Sequence, residues 1–207
     1  VERAEQASPG AGPLSLEQLR ALLEEVARVV ADALGDPERV GDAAAKLVAY
    51  AQLVEAAVRQ GLSVDELMSD YVFIGYSMLK ASILVDSDGK PYIVFEVYCD
   101  ADIPTLYRLV ERETLKPEHL ESYAKYLREV AEFMEEAARL LRDVDGVEAS
   151  TKVHRNMFCS SEGHSVELEY WFEVPASPPP SVDEARELLL EVSKDVDRVE
   201  EVCGMAP

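Results

Sequence analysis

YSMLKASILVDSDGKPYIVFEVYC, residues 76–99, is the stretch that decides the fold. Two runs, 76–85 and 91–99, are rich in β-branched and aromatic residues and alternate with period two. Asp86-Ser87-Asp88-Gly89 lies between them. This pattern reads as a β-hairpin. A three-residue loop, Ser87-Asp88-Gly89, with the glycine in a left-handed conformation, pairs Asp86 with Lys90. The register places Leu79, Ala81, Ile83 and Val85 on one face with Ile93, Phe95, Val97 and Cys99. The other face then sets Lys80 opposite Glu96, a favourable cross-strand pair. A one-residue slip would set Lys80 against Phe95 and mix the faces, so it is rejected.

A second hairpin follows the same logic. Val166, Leu168, Tyr170, Phe172 and Val174 alternate with Glu167, Glu169, Trp171 and Glu173, the pattern of a half-buried strand. Its partner is the stretch 147–159. A four-residue loop from Ser160 to Gly163 pairs Cys159 with His164, and sets Lys152 against Trp171 and His154 against Glu169 on the outer face. Gly89 and Gly163 are equivalent turn positions in two hairpins, each leading through a proline-containing connector to an amphipathic helix. The first of these helices runs from Pro117 to about Arg142, after a helical stretch 103–113. Its seam is Leu120, Tyr123, Leu127, Val130, Met134, Ala137 and Leu141. The second runs from Ser181 to about Val202, with Val182, Ala185, Leu189, Val192, Val196 and Val199 in step. Its start, Ser181-Val182-Asp183-Glu184, is a capping box.

Upstream, Ser15 with Gln18 forms another capping box, and Leu19, Leu22, Leu23, Val26, Val29, Val30 and Leu34 make a helical stripe stopped by Gly35. Asp36-Pro37 starts a second helix, rich in alanine and closed by Gly61. So short a connection makes the two antiparallel neighbours. Ser63-Val64-Asp65-Glu66 repeats the capping tetrapeptide and predicts a short helix to about Tyr71. Tyr71-Val72-Phe73-Ile74 can add a strand before Gly75.

The expected fold class is therefore α+β: an antiparallel four- or five-stranded sheet from two hairpins, each followed by an amphipathic helix, with an N-terminal helical hairpin. The expected organisation is a disordered tail over 1–13, an N-terminal helical segment over 14–72 packed on the rest, and a hairpin–helix domain over 73–207.

Composition bounds the partners. Against 20 basic residues stand 41 acidic ones, a net charge of −21. Such a chain repels a phosphate backbone, and no run of three basic residues occurs, so no nucleic-acid partner is expected. No apolar run reaches membrane-spanning length, so no membrane partner is expected, and the cytoplasm is the default location. Abundant Glu and Arg beside a single Asn156 is the bias of heat-adapted proteins.

Candidate chemistry is sparse. The three cysteines, Cys99, Cys159 and Cys203, form no CxxC pair. Cys159, His164, His154 and Glu169 come near one another in sequence, but His154 and Cys159 fall on opposite faces of a strand, so no metal site is assigned. Asp86-Ser87-Asp88-Gly89 has its glycine at the fourth position rather than the sixth of a calcium loop, and reads as a turn. Adjacent carboxylates such as Glu135-Glu136 point apart on a helix. Phosphate-binding glycine loops and the nucleophile elbow are absent. No catalytic residue and no cofactor are assigned, which leans away from an enzyme.

What remains is a set of aromatics on the outer sheet face. Tyr92, Tyr98 and Trp171, with His154 and Glu169, are the candidate binding residues. Either this face is open, or the N-terminal helical hairpin covers it. The second arrangement is preferred, since it leaves no aromatic patch in water. The reading that follows is an acidic protein-interaction module, an adaptor, assembly factor or chaperone-like protein with a protein partner of basic character. The helical seams also allow a homodimer. The alternative is a small-ligand binder or enzyme with a groove between sheet and helices.

Overall fold

The computed structural model describes residues 14–75, 77–102, 152–159 and 165–204, with part of the stretch 117–135. The tail 1–13, the helical stretch 103–113, much of the expected helix 117–142 and the loop 160–163 with His164 lie outside the described residues.

Helix α1 (Leu16–Gly35) opens on the expected capping box. The Gln18 amide donates to Ser15 Oγ at 3.2 Å, and the Ser15 amide donates to Gln18 Oε1 at 2.8 Å. Asp36 caps a single 3-10 turn (Pro37–Arg39), accepting from the Glu38 amide at 3.1 Å. That turn feeds helix α2 (Val40–Arg59). Gly61, at φ +86°, ends it: the Gly61 amide reaches the Val58 carbonyl and the Leu62 amide the Ala57 carbonyl. This pair of bonds uses up carbonyls that the helix end would otherwise leave open. Ala43, Ala44, Ala51 and Ala57 are buried, and their small side chains let α2 approach both α1 and the C-terminal helix α3 (Val182–Gly204). The Tyr50 hydroxyl, buried, donates to the Leu19 carbonyl at 3.1 Å. Loss of hydration pushes its pKa well above the ordinary phenol value.

Among the described residues six strands form one open antiparallel sheet: β1 (Glu66–Met68), β2 (Val72–Ile74), β3 (Ser77–Val85), β4 (Pro91–Asp102), β5 (Lys152–Cys159) and β6 (Ser165–Pro175). The order is β1-β3-β4-β6-β5, with β2 also paired to β3. In the first hairpin Lys80 stands opposite Glu96 and Val85 opposite Pro91. The Asp86 amide donates to the Lys90 carbonyl at 2.9 Å, and Gly89 takes φ +77°, as the three-residue loop requires.

Three expectations are corrected. The segment after Ser63 is not a helix: Glu66–Met68 is strand β1, paired with Ser82–Leu84 of β3. A helix of two turns is weak in isolation, while the open edge of β3 offers ladder bonds and burial of Leu67 against Ile83. The same tetrapeptide at Ser181 does cap a helix, with the Ser181 amide donating to Glu184 Oε2 at 2.7 Å and the Glu184 amide to Ser181 Oγ at 3.2 Å.

The second hairpin is shifted by two residues from the expected register. Cys159 pairs with Val166, Lys152 with Glu173 and His154 with Trp171. Cys159 opposite His164, Lys152 opposite Trp171 and His154 opposite Glu169 are therefore withdrawn. An even slip leaves every residue on its own face, so alternation cannot separate the two registers. The observed one sets opposite charges, Lys152 and Glu173, at facing positions and uses a longer connection.

Finally, the N-terminal helical hairpin does not cover the outer face. Leu19, Leu23 and Val30 of α1, Leu47 and Val54 of α2, and Leu189 and Val192 of α3 share one core with Leu79, Ala81, Ile83, Ile93, Phe95, Val97, Phe172 and Val174. Helices α1, α2 and α3 thus lie on the inner face. Phe95 and Phe172 stack at its centre, 5.0 Å between centroids. The physical reason is continuity: the stripes of α1 and α3 each bury on one side only, and both sides meet the same apolar sheet face. Among the described residues no helix is long and apolar enough to cross a membrane.

Candidate interaction surface

The outer face is laid out in rows by register. One row runs Lys80, Glu96, Trp171, His154 across β3, β4, β6 and β5. The next runs Phe73, Met78, Tyr98, Glu169, Asn156 from β2 to β5. A third runs Ser82, Val94, Glu173, Lys152. Tyr92, Tyr98, Trp171, His154 and Glu169 thus occupy one face, in two neighbouring rows plus Tyr92 at the end of β4 opposite Pro175. The side chains of His154 and Glu169 lie outside the described residues.

This face is not an open aromatic plate. Val94 and Ser82 are buried at its centre, and Tyr92, Tyr98 and Trp171 are half-buried. Lys80 Nζ meets Glu96 Oε2 at 2.8 Å, and the Tyr98 hydroxyl donates to the same oxygen at 3.1 Å. The two charged side chains keep only 15% and 20% of their exposure. A carboxylate shared by an ammonium and a phenol satisfies all three in a partly dry setting, which is a structural arrangement before it is a chemical one. At the hairpin tip, burial and then the Asp86 carboxylate raise the Tyr92 phenol above its ordinary pKa.

The exposed aromatics are elsewhere, at the sheet edge. β1 and β2 are two pieces of one edge strand. Residues 66–68 pair with 84–82 and 72–74 with 79–77, so three steps along the edge from Ser69 to Val72 match two along β3. That extra residue is a β-bulge at Asp70-Tyr71. Ser69 carries the ladder across it: its amide donates to the Ala81 carbonyl at 2.8 Å, and its hydroxyl accepts from the Ala81 amide at 3.2 Å. The bulge keeps Leu67, Ser69 and Ile74 buried and turns Tyr71 and Phe73 outward. Tyr71 is 55% exposed and Phe73 74%. Tyr71 meets Tyr98 edge-on at 6.0 Å, which joins the edge pair to the outer-face row.

Beside this edge, a cleft of about 430 Å³ opens between α1 and the bulge, lined by Glu24, Arg28, Asp32, Asp70, Tyr71, Val72 and Phe73. Glu24, Arg28 and Asp32 are spaced at i, i+4 and i+8, one row along α1. Arg28 forms no ion pair with any described residue. Two of these features have a sequence signal. Tyr71-Val72-Phe73-Ile74 alternates, which by itself puts both aromatics on one side of a strand. Nothing local ties Glu24, Arg28 and Asp32 to them, because that proximity is made by packing across some forty residues of chain. Among the described residues no group of three or more His, Cys, Asp or Glu is gathered as a metal ion needs.

Compared with protein-family models, with curated proteins and with solved structures, the chain matches none.

Proposed function

We propose that this protein is an acidic protein-interaction module, two hairpin–helix units and a helical hairpin joined on one sheet, working as an adaptor, assembly factor or chaperone. The observation that carries the reading is the pair Tyr71 and Phe73, held in water on a sheet edge beside an open cleft. A large aromatic left this exposed loses roughly 1.5–3 kcal/mol of burial, and neighbouring exposed aromatics are the composition of binding hot spots. The net charge of −21 favours a partner of basic character. Tyr92, Tyr98, Trp171, His154 and Glu169 serve in this reading as the continuation of the surface inward from the edge. An enzyme or small-ligand binder would use a groove between sheet and helices. Away from the cleft beside α1, the side chains that meet there, Leu79, Ile83, Phe95 and Phe172 among them, are fully buried against the helices, which favours the interaction reading.

The test is purification of the tagged chain from its native host beside a Tyr71→Ser/Phe73→Ser variant of unchanged melting temperature. The expected outcome is a stoichiometric protein partner held by the parent and lost by the variant. A partner-free chain carrying a small molecule, or a partner that the variant retains, removes the edge from the function.

A further inference from the structure

We propose that the cleft between α1 and the bulged edge strand seats an extended segment of a partner protein through a lysine or arginine side chain. This rests on the interaction reading above and names the partner's chemistry. Three features of the cleft converge on a cation. Its walls carry three carboxylates, Glu24, Asp32 and Asp70, with Arg28 among them; Arg20 reaches Glu24 at 3.9 Å and Arg39 reaches Asp32 at 3.0 Å in water-facing pairs of little strength, and Asp70 has no ion pair among the described residues. Tyr71 and Phe73 line its rim, and aromatic rings attract an ammonium or guanidinium through their quadrupoles. The chain as a whole is strongly acidic and steers basic groups toward it.

The edge itself indicates an extended segment rather than a small amine. β1 and β2 pair with β3 on one side, and no described strand flanks them on the other. An edge of this kind leaves main-chain donors and acceptors for an added chain. The bulge cuts the regular edge into two pieces of three residues, too short to hold a partner by ladder bonds alone. Binding strength must then come from side chains, and the cleft is where a side chain of the added segment enters. A small amine would fill the cleft and leave Phe73 in water, whereas a chain lying along β2 covers it. A second copy of this protein is disfavoured at the same place. A two-fold contact would bring the acidic walls of two identical clefts together, which like-charge repulsion opposes.

The charge layout makes a prediction of sign. Arg28 lies where the incoming cation goes, so its removal helps binding, while removal of a carboxylate hurts it. The experiment is fluorescence anisotropy with the full chain and a labelled peptide of about ten residues, alternating Lys and Thr around one Phe, beside a twin with Glu in place of Lys. The expected result is binding of the Lys peptide only, weakened roughly tenfold or more by Asp32→Asn/Asp70→Asn and by Phe73→Ser, and strengthened several-fold by Arg28→Ala. Glu187→Gln/Glu191→Gln on α3, a loss of two exposed carboxylates outside the cleft, leaves it unchanged. No binding of the Lys peptide overturns the proposal. So does equal weakening by the cleft and α3 variants, which would mean diffuse charge attraction, and so does weakening by Arg28→Ala. If the native partner is still lost by Tyr71→Ser/Phe73→Ser, only the cation assignment falls. If no native partner exists either, both readings fall together.

Discussion

Asp86 shows how much one side chain decides. Its Oδ1 accepts from the Asp88 amide at 2.9 Å and the Lys90 amide at 2.7 Å, closing the tip of the first hairpin. The Lys90 amide bond is the main reason its carboxyl is held below the ordinary value, with the Asp88 amide, the Tyr92 hydroxyl and the Lys90 charge adding to it against the effect of burial. A carboxylate whose pKa is lowered on folding adds stability above its unfolded pKa, about 3.9, and loses it as pH falls through the lower folded value. Asp86→Ala should therefore melt below the parent at pH 7. The gap should close as the pH is taken down through and below the folded pKa, as followed by circular dichroism. A gap that stays constant across that range would mean the bonds matter little in their charged form. The residue scale is also where the sequence was most legible. Asp86, Gly89 and the Lys80–Glu96 pair follow from turn chemistry and alternation, both of which act within about twenty residues of chain.

At the scale of elements, the edge strand is the informative case. Val72 and Ile74 stay on the inner side only because the bulge at Asp70-Tyr71 restores the parity set by Leu67 and Ser69. The Ser69 hydroxyl makes this workable by accepting from the Ala81 amide, inside the sheet. Ser69→Ala leaves that amide with no acceptor there, a loss of about 1–3 kcal/mol. Chemical denaturation should show the loss, and hydrogen exchange should show it concentrated at Ala81 and its neighbours in β3. Unaltered stability would mean that a main-chain carbonyl replaces the hydroxyl. Ser63-Val64-Asp65-Glu66 and Ser181-Val182-Asp183-Glu184 are identical in sequence, yet only the second caps a helix. The local signal is equal. What differs is that α3 continues as a long apolar stripe, while the residues after Glu66 reach an unpaired sheet edge. The second hairpin taught a related lesson: alternation assigns faces, and loop length, which alternation does not report, assigns register.

For the whole molecule, the decisive fact is that α1, α2, α3 and the sheet share a single core on one side of the sheet. Leu189, fully buried at the meeting of α3 with that core, is a sensitive reporter. Leu189→Ala should cost about 2–5 kcal/mol and lower helix and sheet signals in one transition. Phe73→Ser, at 74% exposure, should change stability within about 0.5 kcal/mol. Two separate transitions for Leu189→Ala would argue that the helical pair α1 and α2 folds apart from the rest. The contrast between these two apolar residues separates what holds the fold from what the surface leaves in water.

The sequence by itself determined the class of the protein: amphipathic helices with their caps, a glycine-closed first hairpin, strands with an apolar and a polar side, and an acidic balance. These depend on periodicity, turn geometry and charge, each written within a few neighbouring residues. Only the tertiary structure decided which face the helical hairpin takes, the two-residue register of the second hairpin, and the strand fate of Glu66–Met68. It alone brought Glu24, Arg28 and Asp32 beside Tyr71 and Phe73. Those outcomes are set by competition between surfaces distant in the chain for the same partner, and by edges left unpaired elsewhere, which no local stretch can express.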